Sequence, residues 1–372
     1  MILSIFALPD IIRFSYITRI SVIMGFALFY LDKKMTLERK YFIWVLAFST
    51  IGLFNVFFAA YQNVTMKTFA TSVQAIWISF MVAHWLKKNR EFVLFFNSII
   101  IGGTVLCFRL IRYIDFGSWG ERKVSYMLGE NVNSLGLRLA IACMFSFFLA
   151  SCYKTRKKKM IYYAASVLLT LFVLVTGSRR ALIIVFMSLC IILVFNTDNS
   201  VKRLGAIVKL LFIVYVVYMV LMKVPQFYAI IGSRMERFIL AIFSSDSALD
   251  NGRDVMIQRS LQLFIERPVL GWGMGCFRYV SGINYVYSHN TYAELLYATG
   301  ILGFVSYYSI LPVMIFRIKS LSKNSLRFIF CVCVVCCMII SDMAAVNYTS
   351  LLAHLLIAVV MSITSSEMVD NK

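Results

Sequence analysis

Long, largely apolar runs constrain this chain more than any other feature. The segments 41–60 and 204–222 each match the roughly 20 apolar residues that a helix needs to cross a bilayer. Only helices and closed barrels satisfy their own backbone in lipid, and these runs lack the alternation typical of barrel strands. Of the 372 residues, 61% are hydrophobic, which is more than soluble domains contain. The sequence predicts an all-α, polytopic transmembrane helical bundle, formed as a single integral membrane domain over residues 1–372.

The apolar runs predict about eleven spans. Residues 1–10 fit either a partial, twelfth span or a segment lying in the membrane interface. The predicted spans are 13–31, 41–60, 68–86, 92–110, 134–152, 160–176, 181–196, 204–222, 292–316, 328–342 and 348–364.

Much of the formal net charge of +20 lies in short loops. Cytoplasmic loops carry an excess of Lys and Arg, and the main basic clusters fall in alternate loops of this span pattern. Membrane orientation therefore explains the charge, and we expect no nucleic-acid partner. The odd span count places the N-terminus outside. The loops predicted to face outward are 61–67, 111–133, 177–180, 223–291 and 343–347.

The 223–291 loop is the longest, and long loops inside compact folds are usually functional or disordered. Asp250 or Asn251 can cap a helix that ends at Glu266, two residues before Pro268. One apolar face predicts that this helix packs on the membrane domain. That face would consist of Ile257, Leu261 and Phe264.

His289 marks the junction between this loop and the ninth predicted span. Residues Thr291 to Glu294 fit a capping box, so we expect the helix to begin at Asn290 or Thr291. The positive end of the helix dipole would disfavour protonation of His289, and a neutral imidazole at the membrane surface can act as a base. The alternative is a polar residue that only marks a helix start.

Four arginines on the predicted outer side are candidates for binding an anion. Arg179 and Arg180 adjoin an apolar run, and paired guanidinium groups suit a lipid phosphate, although interfacial snorkelling explains them equally well. Arg253 would lie in the first turn of the loop helix, where a cation opposes the dipole unless Asp254 offsets it. Arg138 lies inside the fifth predicted span, where arginine is costly and tends to be functional; pairing with a nearby carbonyl or acid is the alternative.

Neither the cysteines nor the acids predict a metal site. Cys333 and Cys336 have CxxC spacing, but they lie in mid-span without companion ligands, where cysteine behaves as a small hydrophobe. Asp246, Asp250 and Asp254 would line one helix face, which is more typical of a solvated surface than of a cation site. We therefore expect neither a metal nor a cofactor.

Three motifs occur in order on the predicted outer face. They are Thr176-Gly177-Ser178-Arg179-Arg180, then Gly252-Arg253 with Pro268-Val269-Leu270-Gly271-Trp272-Gly273, then His289-Asn290 with Gly300 and Gly303. Together they resemble the O-antigen ligase and O-antigen polymerase superfamily, over about residues 130–310. The His-Asn motif with its two downstream glycines is the most specific part.

The resemblance implies a metal-independent, inverting glycosyltransferase that uses glycans carried on undecaprenyl pyrophosphate. By match, Arg179 and Arg253 would contact the pyrophosphate and His289 would be catalytic; whether Arg179 or Arg180 bears the role stays open. Fixed arginines can neutralise a departing diphosphate without a metal. These side chains are expected to converge on one patch under the 223–291 loop. The remaining substrate-binding residues would be Arg180, Arg138 and Asn290.

Polymerase and ligase differ in the acceptor, and the motifs do not separate them. A polymerase extends another lipid-linked repeat unit, whereas a ligase transfers the glycan to a lipid A core sugar. We favour the polymerase because the compact, Phe- and Tyr-rich chain resembles those divergent members of the superfamily. A transporter of lipid-linked sugars would instead carry inverted repeats, broken helices or charges near mid-membrane, and a non-catalytic scaffold would tolerate replacement of His289.

The expected partners are the glycan donor and acceptor, the lipid bilayer and a chain-length regulator protein. The expected location is the bacterial cytoplasmic membrane, with the active site on its outer face.

Overall fold

The computed structural model describes residues 23, 27, 38–89, 92–112, 131–195, 200–233, 236, 252–283, 285–323 and 325–365. Within these ranges every regular element is a helix, which confirms the predicted all-α class. Residues 1–10 and nearly all of the predicted span 13–31 lie outside the described residues.

Twelve helices of ten or more residues form the described part of the chain. They are α1 Arg39–Phe58, α2 Gln62–Asn89, α3 Phe92–Ile111, α4 Val132–Cys152, α5 Arg156–Thr176, α6 Arg179–Phe195, α7 Ser200–Lys223, α8 Arg253–Glu266, α9 Thr291–Tyr308, α10 Ile310–Lys319, α11 Leu326–Asp342 and α12 Leu351–Ser365. Two shorter pieces, Pro225–Phe227 with the π-turn Tyr228–Gly232 and the single turn Phe277–Val280, lie in the 223–291 loop.

Six of the described segments are long and apolar enough to cross a membrane, and the protein is therefore multi-pass. They are Arg39–Phe58, Gln62–Lys87, Phe92–Ile111, Asn133–Cys152, Arg156–Thr176 and Thr291–Lys319, the last combining α9 and α10. The predicted spans within 181–222 and 328–364 also form helices. Their crossing of the membrane, and the total of about eleven spans, stay predictions.

The described helices group into two compact units. The first contains α3 to α7 and the beginning of α11, up to Cys333. Its centre is α4, which packs against α3, α5 and α6 and is 83% buried over its apolar window. Aromatic rings fill this core, with Phe145 lying 4.7 Å from Phe96 and 5.1 Å from Phe330 between centroids.

The second unit contains α1, α2, α8 to α10, the remainder of α11 and α12. In it α2 packs against α1 and α12, and α9 packs against α1 and α8. Buried polar side chains lock the helices in register, since Trp44 Nε1 donates to the Tyr307 carbonyl at 2.9 Å and the Tyr41 and Ser79 hydroxyls lie 2.7 Å apart. Helix α9, which begins just after His289, is thus held between α1 and the loop helix α8.

Candidate functional site

His289 lies in a strained turn immediately before α9. Its φ of 57° makes it the one non-glycine residue in the left-handed region among the residues that the structure describes. That conformation costs a residue with a Cβ roughly 1–2 kcal/mol. The half-buried imidazole lies against Tyr287, with 4.3 Å between ring centroids. Strain of this kind persists only where the surroundings impose it, and it clusters at functional sites.

Helix α9 begins at Thr291, as the sequence predicted, but the capping box is wrong in detail. The N-cap is Asn290, whose Oδ1 accepts the Ala293 N–H at 3.0 Å. Thr291 does not cap the helix, because its hydroxyl donates to the Ala345 carbonyl at 2.6 Å. The carboxylate of Glu294 accepts the Ser288 N–H at 2.8 Å, one position before the His289 turn.

Glu294 is a buried acid beneath this turn, with 1% of its surface exposed. Its second carboxylate oxygen accepts the Tyr297 hydroxyl at 2.8 Å. The turn carries its own bond as well, from the Ser288 hydroxyl to the Asn290 carbonyl at 2.9 Å. Both carboxylate oxygens of Glu294 therefore have donors.

A second buried polar cluster fastens the start of α9 to the α11–α12 turn. Asn347 donates its backbone N–H to the Thr291 hydroxyl at 3.0 Å and its side-chain amide to Asp342 at 2.8 Å. Asp342 also accepts the Tyr308 hydroxyl at 3.0 Å. Sequence reasoning missed this cluster, although an acid closing the apolar span 328–342 was a visible signal.

Helix α9 is broken at Gly300, where φ is 63° and ψ is −168°. The loop segment 268–273 lies in the break and takes up the backbone groups that the helix leaves free. Ile301 N–H donates to the Pro268 carbonyl at 2.8 Å. Two carbonyls before the break accept hydrogen bonds from the same segment. The Trp272 N–H donates to the Tyr297 carbonyl at 2.9 Å, and the Gly273 N–H donates to the Ala298 carbonyl at 2.8 Å. The glycine turn thus docks into a membrane helix, as broken helices within a bilayer require.

The motif glycines are explained by close backbone approach. A Cβ on Gly300 would lie 2.2 Å from the Val269 carbonyl oxygen, and a Cβ on Gly271 would lie 2.5 Å from the carbonyl carbon of Ala298. A Cβ on Gly303 would instead meet the Cβ of Thr299 one turn earlier at 2.2 Å, and rotation of the threonine side chain does not move that atom. Gly300 and Gly271 are therefore needed for the loop to enter α9.

Asn55 secures the docked loop from α1. Its amide nitrogen donates to the carbonyls of Leu270 at 2.6 Å and Ala298 at 2.9 Å. Its amide oxygen accepts the Met274 N–H at 3.2 Å. Sequence reasoning missed Asn55, whose signal was an amide inside the apolar run 41–60.

The loop helix α8 ends at Glu266 as predicted, but its beginning and its buried face differ from the prediction. The N-cap is Gly252, in the left-handed conformation without a side-chain cap bond, rather than Asp250 or Asn251, which lie outside the described residues. Leu261 is 42% exposed. The buried face consists of Met256, Ser260 and Leu263.

This face packs against α9 and the turn Phe277–Val280, because Met256 and Leu263 share a core cluster with Tyr297 and Ala298. Phe264 also packs against this cluster. The predicted packing of the loop helix on the rest of the fold is therefore confirmed, and of its predicted face Phe264 was right and Leu261 was wrong. Arg253 is the first residue of α8 and is half-buried. Of the spaced acids, Asp254 is exposed, whereas Asp246 and Asp250 lie outside the described residues.

In the first unit, a left-handed Gly177 ends α5 and the chain turns directly into α6. Arg179 and Arg180 are the first two residues of α6. Arg180 is buried and donates to the Asn133 carbonyl at 3.0 Å, whereas Arg179 is half-buried. Arg138 is 5% exposed inside α4, which agrees with its predicted intramembrane position.

Metal ligands do not cluster in the described ranges: no three His, Cys, Asp or Glu side chains there could hold an ion together. Cys333 and Cys336 lie within α11, where Cys333 is fully buried.

These features define a multi-pass helical membrane protein with a strained histidine turn at the head of one span and arginines at the first positions of two helices. Residues 164–308 match the family model described as O-antigen ligase. Over this segment the match supports the resemblance to the O-antigen ligase and polymerase superfamily seen in the motifs. No curated protein matches the chain.

The matched segment is narrower than the predicted resemblance of about residues 130–310. It contains the motifs around Arg179, Arg253 and His289, whereas Arg138 lies outside it. A role for Arg138 therefore stays a prediction from its burial alone.

Proposed function

We propose that this protein is a metal-independent, inverting glycosyltransferase of the O-antigen polymerase type. It would join repeat units carried on undecaprenyl pyrophosphate, at the outer face of the bacterial cytoplasmic membrane. The observation that carries the proposal is the left-handed turn at His289, directly before α9 and inside the segment that matches the family. The superfamily match supports the class of activity, and the turn supports His289 as the reacting side chain.

His289 would act as the general base. An acceptor hydroxyl must lose a proton as it attacks the anomeric carbon, and a neutral imidazole can take that proton. The imidazole precedes the N-cap of α9, where the positive end of the helix opposes a second positive charge. The half-buried position of His289 leaves part of the side chain open to substrate.

Arg179 and Arg253 would neutralise the departing diphosphate. Each is the first residue of a helix, where a cation is unfavourable by itself because it adjoins the positive end of the dipole. An anion relieves this conflict, and helix N-termini bind phosphate through their free N–H groups. Arg180 is buried, whereas Arg179 is half-buried and more accessible to a ligand, so the choice between the pair favours Arg179.

Arg180, Arg138 and Asn290 remain the predicted further substrate contacts. For Asn290 the amide oxygen is engaged as the N-cap of α9, which favours its amide nitrogen, 3.4 Å from the Met343 carbonyl, as the group that would turn to a sugar hydroxyl. Buried Arg138 would assist as an auxiliary phosphate or acceptor contact.

Two other functions are weighed against the polymerase. A ligase has the same chemistry with a lipid A core acceptor, and the matching family model carries that description. A transporter would be expected to use broken helices, and α9 is broken. In α9, however, the freed backbone groups bond to segment 268–273 and are therefore not available to a transported substrate, which favours enzyme over transporter.

The deciding experiment supplies purified protein with a lipid-linked repeat unit, with and without a core-sugar acceptor, and with or without a chelator. A ladder of products without core acceptor is expected. Transfer to core alone would mean a ligase, and neither product would mean that the enzyme proposal is wrong. Activity abolished by the chelator would overturn the metal-independent mechanism.

The matched variants in this assay are His289→Asn and His289→Ala. Asparagine tolerates the left-handed conformation, so His289→Asn separates loss of the imidazole from relaxation of the backbone. Both variants should lose roughly 100-fold or more of the transfer rate while remaining folded, as expected for a lost general base. Full activity of His289→Asn would remove His289 from the mechanism.

A further inference from the structure

We propose that Glu294 is a positioning residue for His289. The structure points to a buried carboxylate that holds the backbone at Ser288 and thereby imposes the left-handed turn that presents the imidazole. The inference rests on the proposed function in one respect, namely that His289 acts on substrate. The geometric part, that Glu294 holds the turn, stands on the contacts alone.

The left-handed turn requires an external support. A left-handed histidine is unfavourable on its own, and the residues just before it, Tyr285, Val286 and Tyr287, are exposed or half-buried. The bonds within the turn come from the Ser288 hydroxyl. The Ser288 N–H ties it to a rigid element by donating to Glu294 at 2.8 Å, and the Asn290 amide donates to the Met343 carbonyl at a longer 3.4 Å.

The Glu294 side chain is itself held in place. It lies in the first turn of α9, is 1% exposed, and receives the Tyr297 hydroxyl at 2.8 Å. Tyr297 is fully buried and lies 5.3 Å from the Phe277 ring. Ser288 is buried as well, so loss of this hydrogen bond would leave a buried N–H donor unpaired.

Capping of α9 does not explain the position of the Glu294 carboxylate. The start of α9 already has the Asn290 cap on the Ala293 N–H and the Thr291 bond to Ala345. Glu294 reaches past the cap to a residue outside the helix. Its removal should therefore release the turn while leaving the helix start in place.

The test compares Glu294→Ala, Glu294→Gln and Tyr297→Phe in purified protein. Glutamine keeps a carbonyl oxygen that can accept the Ser288 N–H, and Tyr297→Phe removes only the other bond to the carboxylate. Glu294→Ala should lower kcat about 10- to 100-fold with KM changed less than about threefold, since small misplacement of a reacting group costs this much. Glu294→Gln and Tyr297→Phe should stay within about fivefold of wild type.

Amide hydrogen exchange by mass spectrometry measures the geometry without reference to activity. In Glu294→Ala the segment 285–290 should exchange faster, whereas 291–299 should stay protected by the Asn290 cap. In Glu294→Gln both segments should stay protected. Loss of protection over 291–299 would show that Glu294 supports the helix itself, and the positioning role would be wrong.

A double-variant cycle separates positioning from general destabilisation. If Glu294 acts through His289, adding Glu294→Ala to His289→Asn should leave the residual rate within about twofold. A further large loss in that background would overturn the proposal. A Glu294→Gln protein that keeps protection at 285–290 but loses more than tenfold in kcat would also overturn the proposal. This outcome can be measured even if Glu294→Ala does not fold. Full activity of His289→Asn would contradict the catalytic role proposed for His289. The exchange result would still decide whether Glu294 holds the turn.

Discussion

A single buried amide, Asn55, joins three backbone groups that come from two distant parts of the chain. It donates to Leu270 and Ala298 and accepts from Met274. Replacing Asn55 with Ala would take this partner from the Leu270 carbonyl and the Met274 N–H, at about 1–3 kcal/mol for each group left unpaired, whereas the Ala298 carbonyl would keep its bond from the Gly273 N–H. We expect Asn55→Ala to lower the thermal unfolding temperature clearly in detergent.

The control for Asn55 lies in the same helix. The buried Ser49 hydroxyl has no hydrogen-bond partner among the described residues, so Ser49→Ala should leave the unfolding temperature nearly unchanged. Equal effects of the two substitutions would mean that Asn55 contributes through packing rather than through its hydrogen bonds.

At the scale of an element, the break in α9 depends on Gly300. Its φ and ψ lie in a region that is essentially restricted to glycine, and a Cβ would meet the Val269 carbonyl at 2.2 Å. We expect Gly300→Ala to expel segment 268–273 from α9 and to cost about 3 kcal/mol or more, combining strain and overpacking. Thermal unfolding and protease sensitivity of the loop measure this change.

Gly282 provides the matched comparison. It also has a positive φ, of 70°, but a Cβ there would have open space within 4 Å. Gly282→Ala should therefore cost only the conformational penalty, about 1–2 kcal/mol. If the two glycines respond alike, close approach to the loop is not what requires Gly300.

At the scale of the molecule, an ionic cluster joins four helices of the second unit at one end. Glu38, just before α1, lies 2.6 Å from both Lys87 of α2 and Arg317 of α10, and Arg317 also donates to Ser365 of α12 at 2.7 Å. Burial raises the pKa of Glu38, but hydrogen bonds from Lys87, Ser365 and Arg317 and the Arg317 charge outweigh it. The net pKa is below the ordinary value of 4.5.

This shift predicts how stability depends on pH. A carboxylate with a depressed folded-state pKa stabilises the fold above its unfolded pKa, and the contribution is lost as the pH falls through the folded pKa. The unfolding temperature should therefore fall as the pH drops below about 4.5, and Glu38→Gln should lower it at pH 7 and flatten that acid-side slope. The control is Glu266→Gln, because the Arg259–Glu266 pair is 3.8 Å apart with an exposed Glu266 and a partly exposed Arg259, and such pairs contribute little. A Glu38→Gln protein that keeps the wild-type slope would contradict the assignment.

Local patterns in the sequence determined the elements. Apolar runs of span length predicted helices, because the backbone must bond to itself in lipid. The start of α9 at Thr291 and the end of α8 at Glu266 followed from polar caps and from Pro268. The face of α8 was only partly predicted: Phe264 packs on the core cluster as expected, but the fully buried positions are Met256, Ser260 and Leu263. Both sets satisfy the helical period, and only the contact with α9 decides between them.

The chemistry-bearing motifs could also be found along the chain, since His289, Arg179 and Arg253 stand at helix starts that the sequence marks. Tertiary structure alone decided what holds the start of α9 beside His289: the loop inserted at Gly300 and the support from Asn55 and Asp342. These contacts join groups far apart in sequence. The bond from Ser288 to Glu294 spans only six residues, but it depends on a left-handed turn that no local pattern marked. Residue periodicity reports only how one helix meets an apolar or polar surface, whereas the partner of a buried donor is fixed by which helices pack together.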